Sequence, residues 1–182
     1  MSTLALIFPG VGYNFDRPLL HFSRKLAERR GMAVYPVPLS VTLDRSLPNE
    51  QRMALACEQA AERARAAVAA LDFSGCTQAV LIAKSIGTVA AAAVLEQIPC
   101  PARSILYTPL EQTFSYPLGD AVVFTGTDDP WVEPGIIPAL CRTRGVPFHL
   151  YEGANHSLET GDVLRDIDIL RSVMEHTGKL LL

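Results

Sequence analysis

The sequence predicts an α/β fold, a three-layer sandwich in which helices cover both faces of a sheet of about six mainly parallel strands. Two observations carry this prediction. Six short apolar segments with many β-branched residues recur along the 182 residues, and helical patterns lie between most of them. The segments are apolar at successive positions, which is typical of strands that are covered on both faces. Strands that alternate with helices favour right-handed crossovers, and therefore a parallel sheet.

The six predicted strands are short and are separated by turns or helical patterns. They cover residues 4–8, 33–37, 79–82, 104–107, 121–125 and 148–151. The fourth and fifth are joined by the segment TPLEQTFSYPLG, which shows no convincing helical pattern. A segment of this length is too short to build a lid, so we expect no cap domain and an open cleft.

Five helical patterns complete the prediction. The first begins near Pro18 and carries its large apolar residues on one side. Asn49 is expected to cap the second helix, in which small apolar residues recur every three or four positions. The third helix follows Ser85 directly. The last two are expected within residues 134–144 and over about 162–175.

Length, charge and the absence of repeats bound the function. We expect residues 1–182 to form one domain, since no linker or low-complexity tract divides them. The 16 basic and 19 acidic residues leave a net charge of −3 without a basic block, so nucleic-acid partners are not expected. The first residues, MSTLALIFPG, do not resemble a secretory signal, and no apolar run reaches membrane-spanning length, so we expect a cytoplasmic protein without a membrane partner. Nothing in the sequence indicates an oligomeric state.

The cysteines are expected to be buried, reduced thiols. They have no C-x-x-C spacing and no secretory context, which argues against disulfides and against a zinc site. We therefore expect no metal. The four residues are Cys57, Cys76, Cys100 and Cys141.

A functional site is expected at the carboxyl ends of the strands, because parallel sheets bind ligands beyond these ends. The first strand leads into FPGVGYNFD, whose glycines allow backbone amides to face a ligand. A dinucleotide fingerprint is not supported, because Phe15 stands where its third glycine is needed and no acidic residue ends the second strand. We expect no cofactor.

The third strand leads into Ala83-Lys84-Ser85-Ile86-Gly87, which places a serine at the joint between a strand and a helix. A nucleophile elbow needs small residues two positions before and two after its serine, because the strained turn brings both against neighbouring backbone. Ala83 and Gly87 meet this need. Ser85 is therefore the candidate nucleophile, and Lys84 is expected to be solvated or packed on the sheet rather than catalytic.

The fifth and sixth strands lead into an acidic turn and a histidine loop. The turn GTDDPWV contains Asp128 and Asp129, either of which could orient a histidine; we favour Asp129 and keep Asp128 as the alternative. The loop EGANHSLE contains His156, whose side chain can transfer protons at neutral pH. The other histidines lie within predicted elements or near the C-terminus.

The order serine, acid, histidine, each just beyond a strand, resembles that of the α/β-hydrolase family, specifically its small members without a cap domain. FPGVG resembles the oxyanion loop, AKSIGT the elbow, GTDDPWV the acid turn and GANHSLE the histidine loop. Three features depart from the family. No histidine precedes Gly10, Ala83 replaces the first elbow glycine, and we expect no counterpart of the two N-terminal antiparallel strands of larger members.

The resemblance implies a serine hydrolase that acts on a small-molecule acyl substrate, an ester or thioester, through an acyl-enzyme. In that role Ser85 attacks, His156 takes its proton, and Asp129 orients the imidazole. The resemblance also implies that the backbone N–H groups of Val11 and Ile86 stabilise the oxyanion. An amide or lactone substrate and a non-catalytic binding domain are the alternatives.

Five large apolar residues follow strand ends on the same side of the sheet and are expected to line the substrate pocket. They are Tyr13, Phe15, Leu110, Phe114 and Trp131. The alternative for each residue is that it packs a loop onto the core.

Overall fold

The computed structural model describes residues 2–181, and within them six strands form one parallel sheet. The strands are β1 (Ser2–Phe8), β2 (Ala33–Pro36), β3 (Cys76–Lys84), β4 (Ala102–Tyr107), β5 (Asp120–Gly126) and β6 (Phe148–Tyr151). The helices are α1 (Pro18–Arg29), α2 (Asn49–Ala69), α3 (Ile86–Val94), α4 (Ile136–Arg144) and α5 (Val163–Leu180). The strand order is β2-β1-β3-β4-β5-β6, and all neighbouring pairs are parallel. The carboxyl ends of the strands therefore meet at one edge of the sheet.

Helices cover both faces of the sheet, so the fold has two cores. One core lies between the sheet and α2, α3 and α4, and the other lies between the sheet and α1 and α5. Successive side chains alternate between them: Leu6 and Phe8 of β1 face the first core, whereas Ala5 and Ile7 face the second. This alternation explains why the strand is apolar at successive positions. The predicted three-layer fold is confirmed.

Helix α2 begins differently from the prediction. Asn49 is the first helical residue rather than the cap, and Pro48 occupies the capping position in an extended conformation. Proline fits there because it restricts φ and has no N–H to leave unpaired. The Asn49 side chain instead accepts a hydrogen bond from the Arg52 guanidinium.

Helix α5 is longer than predicted. It continues to Leu180 rather than ending near residue 175. The additional turn is tied to the sheet, because the Thr177 hydroxyl lies 2.6 Å from the hydroxyl of the buried Tyr107. At the other end, the Asp162 carboxylate accepts two backbone N–H groups of the first turn. Neither α5 nor any other helix within residues 2–181 is long and apolar enough to cross a membrane.

The connection between β4 and β5 contains a short 3₁₀ helix at Glu111–Ser115, where the sequence predicts no helix. Thr113 and Phe114 are buried within it. The Thr113 hydroxyl lies 2.6 Å from the hydroxyl of Thr88 on α3. These contacts tie the connection to α3, so it does not extend outward as a lid.

The cysteines differ in their burial. Cys57 and Cys141 are buried, as predicted, and all four thiols are free. Cys76 and Cys100 are only partly buried, and their Sγ atoms lie 3.2 Å apart. The prediction of burial is wrong for this pair because both residues lie where β3 and β4 begin, at the margin of the core. Within residues 2–181 no group of three or more His, Cys, Asp or Glu side chains is placed to hold a metal ion.

Gly87 allows α3 to start directly against the end of β1. A Cβ atom at this position would lie 2.5 Å from the carbonyl oxygens of Phe8 and Pro9. These oxygens belong to the backbone and cannot move aside as a flexible side chain could. The small residue two positions after Ser85 is therefore required by packing as well as by the turn.

Replacing Gly87 by alanine should destabilise the fold. We expect Gly87→Ala to lower the free energy of unfolding by about 1–3 kcal/mol, the usual cost of overpacking, as measured by urea denaturation. Gly178→Ala is the matched control, because Gly178 also lies in a helix but an added Cβ would meet its nearest neighbour at 3.9 Å. The control should be as stable as the wild type or up to about 1 kcal/mol more stable. Equal stability of the two variants would contradict the conclusion that packing of α3 against β1 requires glycine at position 87.

Candidate active site

Ser85 stands at the sharp bend between β3 and α3. Its φ of 56° and ψ of −126° lie in a region that residues other than glycine rarely adopt. Hydrogen bonds on both sides hold the bend: the Ser85 N–H donates to the Tyr107 carbonyl at 3.0 Å, and the Ser85 carbonyl accepts from the N–H and the hydroxyl of Thr88. The Ser85 side chain is thereby left at the wall of a cleft rather than in either core.

Three loops at the carboxyl edge bring Ser85, His156 and Asp129 into contact. His156 Nε2 lies 2.7 Å from Ser85 Oγ, and His156 Nδ1 lies 2.7 Å from Asp129 Oδ2. Asp129 is buried, and its other carboxylate oxygen accepts the Trp131 N–H at 3.0 Å. Asp128 is exposed and accepts a hydrogen bond from the neighbouring threonine hydroxyl. Of the two adjacent aspartates, Asp129 is the one that contacts the imidazole.

The acid turn and the histidine loop are joined by a bond between their backbones and by a bond to one threonine hydroxyl. The Asp128 N–H donates to the Ala154 carbonyl at 3.0 Å, and the Gly153 N–H donates to the Thr127 hydroxyl at 2.7 Å. Gly126 permits this contact, because a Cβ atom there would overlap the Ala154 carbonyl. The separation of carboxylate and imidazole is therefore set by the packed backbones of the two loops together with the Thr127 hydroxyl.

The surroundings of His156 hold its pKa below the ordinary value of 6.5. Burial has the largest effect and the positive charge of Lys84 acts in the same direction, whereas the hydrogen bond to Asp129 raises the pKa. The imidazole is therefore neutral at pH 7. Since Nδ1 carries the proton that it donates to the carboxylate, Nε2 is left to accept the proton of the Ser85 hydroxyl.

Val11 and Ile86 border the cleft beside Ser85. Ile86 is the first residue of α3, so its N–H has no acceptor within the helix. Val11 lies in a tight turn that two hydrogen bonds between the backbones of Gly10 and Tyr13 close. Within residues 2–181 the Val11 N–H has no backbone acceptor. Two amide donors are thus left at the wall that holds the Ser85 hydroxyl.

A cleft of about 160 Å³ opens at Ser85. Its lining is mainly apolar, with one guanidinium among the side chains. The lining residues are Val11, Leu43, Arg52, Met53, Ser85, Ile86, Leu110, Trp131 and His156. Two of the five predicted pocket residues, Leu110 and Trp131, are therefore in place.

The other three predicted pocket residues do not line this cleft. Phe114 is buried in the core beneath α3, and Tyr13 and Phe15 pack into the core that α1 and α5 cover. The Tyr13 hydroxyl accepts the N–H of Leu19 at 3.1 Å, which holds its ring inward. A position just beyond a strand shows which edge of the sheet a residue occupies but not which way its side chain points.

Leu43, Arg52 and Met53 line the cleft although no sequence pattern singles them out. Leu43 lies in the irregular segment after β2, and the other two lie in the first turns of α2. One feature of the sequence could have indicated that these residues line the cleft. The segment that leads to α2 also begins at the carboxyl end of a strand, as do the loops that carry Ser85, Asp129 and His156.

Several solved structures match this chain over almost its whole length, whereas no family model and no curated protein matches the sequence. A protein of the α/β-hydrolase superfamily from Xanthomonas campestris pv. campestris is 19% identical, with a TM-score of 0.67 over 100% of this chain and 98% of its own. A lid-less α/β serine hydrolase from Xanthomonas campestris is 18% identical, with a TM-score of 0.61 over 99% and 82%. A thermophilic esterase from Thermogutta terrifontis is 20% identical, with a TM-score of 0.54 over 98% and 83%.

This chain has the α/β-hydrolase fold. The resemblance that the sequence predicts is thereby confirmed at the level of the fold. Within residues 2–181 the sheet has six strands, and the connection after β4 holds a 3₁₀ helix in place of a cap.

Titration of His156 tests the electrostatics of the site. We expect its imidazole to titrate below pH 6.5 in NMR spectra of the wild type. It should titrate lower still in Asp129→Asn, because this variant loses the carboxylate whose charge and hydrogen bond favour the imidazolium. Asp128→Asn is the matched control and should leave the His156 pKa unchanged. A larger shift in the Asp128 variant than in the Asp129 variant would contradict the pairing.

Proposed function

We propose that this protein is a serine hydrolase that cleaves a small carboxylic ester or thioester through an acyl-enzyme on Ser85. One observation carries the proposal: two consecutive contacts of 2.7 Å run from the Ser85 hydroxyl through His156 to Asp129. A serine hydroxyl is a weak nucleophile at neutral pH and needs such a base. The solved serine hydrolase and esterase that share the fold support the same class of reaction.

In the first half of the reaction the Ser85 hydroxyl attacks the carbonyl carbon of the substrate. His156 Nε2 takes the hydroxyl proton while the Oγ–C bond forms, and the carbonyl electrons move onto the oxygen. The N–H groups of Val11 and Ile86 then stabilise the oxyanion. When the intermediate collapses, the bond to the alcohol or thiol breaks and His156 returns the proton to it. An ester of Ser85 remains.

In the second half a water molecule releases the acyl group. His156 takes a proton from the water as its oxygen attacks the acyl carbon, and collapse yields the carboxylic acid and Ser85, which recovers its proton from the imidazole. Asp129 stays ionised throughout, holds the ring in one tautomer and stabilises the transient imidazolium. The Trp131 N–H restrains its second oxygen, so the carboxylate keeps its orientation.

The cleft favours a short acyl group. Its volume of about 160 Å³ lies below the roughly 300–1,000 Å³ of pockets that hold drug-sized ligands. The walls at Leu43, Met53 and Leu110 are apolar and suit an alkyl chain. Trp131 at the rim is 59% exposed, so the entrance is open to solvent. We therefore place small esters and thioesters ahead of long-chain lipids as substrates.

Covalent labelling tests the proposal. A fluorophosphonate probe should modify the wild type at Ser85, and p-nitrophenyl acetate should be hydrolysed faster than the octanoate ester because the cleft is small. Ser85→Ala should lose the label and at least about 10³-fold in turnover. Ser157→Ala is the control, since this serine is next to His156 in the chain. Its backbone N–H, which donates to the Asn155 side chain, is kept in the variant.

Each outcome of the labelling experiment separates one alternative. Equal hydrolysis by the wild type and Ser85→Ala would overturn the proposal. Folded wild-type protein that neither labels nor hydrolyses any ester would indicate a non-catalytic binding domain with the same fold. Labelling at Ser85 without ester turnover would point to an amide or lactone substrate instead.

A further inference from the structure

Lys84, the residue before Ser85, is buried without a carboxylate partner. The residue is 1% exposed. Within residues 2–181 it takes part in none of the ion pairs. Lysine is almost never buried in this way unless a specific group receives its charge. The group in this position is an aromatic ring, because Lys84 Nζ lies 4.9 Å from the centroid of Tyr13.

Lys84 interacts with the Tyr13 ring and, through its charge, with Asp129 and His156. Burial lowers the pKa of Lys84 to about 7, and the charge of Asp129 opposes that shift. The lysine is therefore largely protonated in weakly acidic solution. Beyond these groups, the charges of Arg17 and Glu159 act on Tyr13, and Tyr13 in turn acts on Tyr107 of β4. The Tyr107 hydroxyl contacts the hydroxyls of Ser23 and Thr177.

Tyr13 closes the turn that carries the Val11 amide. Its backbone exchanges two hydrogen bonds with Gly10, N–H to carbonyl in both directions, at 3.0 and 3.3 Å. Its hydroxyl accepts the N–H of Leu19 at the start of α1. The position of Val11 therefore depends on Tyr13, and the ring of Tyr13 lies beneath the ammonium of the residue that precedes the nucleophile.

We propose that Lys84 is a positioning residue: its buried ammonium holds the Tyr13 ring and, through it, the turn that presents the Val11 N–H to the substrate. The catalytic part of this statement rests on the proposed function, since the amide matters to turnover only if Ser85 reacts. The interaction suits a buried site, because cation–π attraction strengthens when the cation is desolvated. It ties the first loop to the elbow, two segments that come from neighbouring strands.

The same charge acts on His156. Protonated Lys84 disfavours the imidazolium and so helps to keep the base neutral. Without that charge the pKa of His156 rises. The acid limb of the pH profile, which reports the fraction of neutral His156, should then move to higher pH. A lysine that only filled space would not produce this shift when replaced by a side chain of similar length.

A double-mutant cycle tests the proposal. Lys84→Met keeps the length of the side chain and removes the charge, whereas Tyr13→Leu removes the ring; Lys25→Met, on the surface of α1, is the control. Each variant, with the Lys84→Met Tyr13→Leu double variant, is assayed with p-nitrophenyl acetate in weakly acidic solution, where Lys84 is largely protonated. Hydrogen exchange of the amides of residues 10–13 is followed by mass spectrometry in parallel.

We expect each single variant to lower kcat about tenfold, less than the roughly 10²–10³-fold cost of losing a whole oxyanion donor, with KM within about twofold. The double variant should be no slower than the worse single one, since both changes break one contact. Hydrogen exchange of residues 10–13 should be faster in both single variants. The acid limb of the pH profile should move to higher pH in Lys84→Met. The Lys25 variant should match the wild type in every measurement.

Unchanged kcat and unchanged exchange in Lys84→Met would overturn the proposal, and so would losses that multiply in the double variant. Hydrogen exchange does not depend on turnover. If the wild type proves inactive, the proposed function fails, and hydrogen exchange alone then tests the structural role of Lys84. Faster exchange of residues 10–13 in Lys84→Met supports that role, and unchanged exchange refutes it. If Lys84→Met does not fold, exchange in Tyr13→Leu decides in the same way.

Discussion

The bend at Ser85 is the constraint on which the rest of this structure depends. A residue other than glycine in such a conformation costs about 1–3 kcal/mol, and it persists only where the surroundings over-determine it. Here the Tyr107 carbonyl holds one side of the bend and Thr88 holds the other, while Gly87 lets α3 approach the end of β1. The bend turns the Ser85 side chain out of the alternation that places Ala83 in one core and Lys84 in the other.

The parallel sheet explains why residues far apart in the chain meet at this bend. Ser85 and His156 are 71 positions apart, yet both follow strands whose carboxyl ends lie at the same edge. Backbone hydrogen bonds then join the acid turn to the histidine loop, and Gly126 allows them to lie in contact. The cleft is an outcome of this packing, because its walls come from loops beyond the strand ends and from the first turns of α2 and α3.

Sequence patterns are sufficient to predict the strands and the three side chains that meet at the edge of the sheet. The apolar runs mark the buried strands, and the position of Ser85, Asp129 and His156 after three of them predicts that they share one edge. The choice between adjacent aspartates was not decided by the sequence, since it depends on how the acid turn folds against the histidine loop. That choice needs coordinates: Asp129 points inward to the imidazole, while Asp128 is exposed.

The walls of the cleft are less predictable, for a physical reason. Tyr13 and Phe114 follow strand ends, as Leu110 does, but tertiary contacts turn their rings into the cores. Loop residues have no fixed alternation, so the direction of a side chain depends on partners that are distant in the sequence. Lys84 shows the same limit, because nothing in the strand pattern indicates that the Tyr13 ring lies within reach of its ammonium.

The acyl-enzyme itself is the most direct test of the central claim, that the bend delivers Ser85 to its base as a nucleophile. The protein is mixed with p-nitrophenyl acetate, and the reaction is quenched in acid within the first turnovers. The protein is then digested, and the masses of its peptides are measured by mass spectrometry. We expect an acetyl group on the hydroxyl of Ser85 that disappears as the substrate is exhausted. Turnover of the ester with Ser85 unmodified, or with the acetyl group carried only by another side chain, would contradict it.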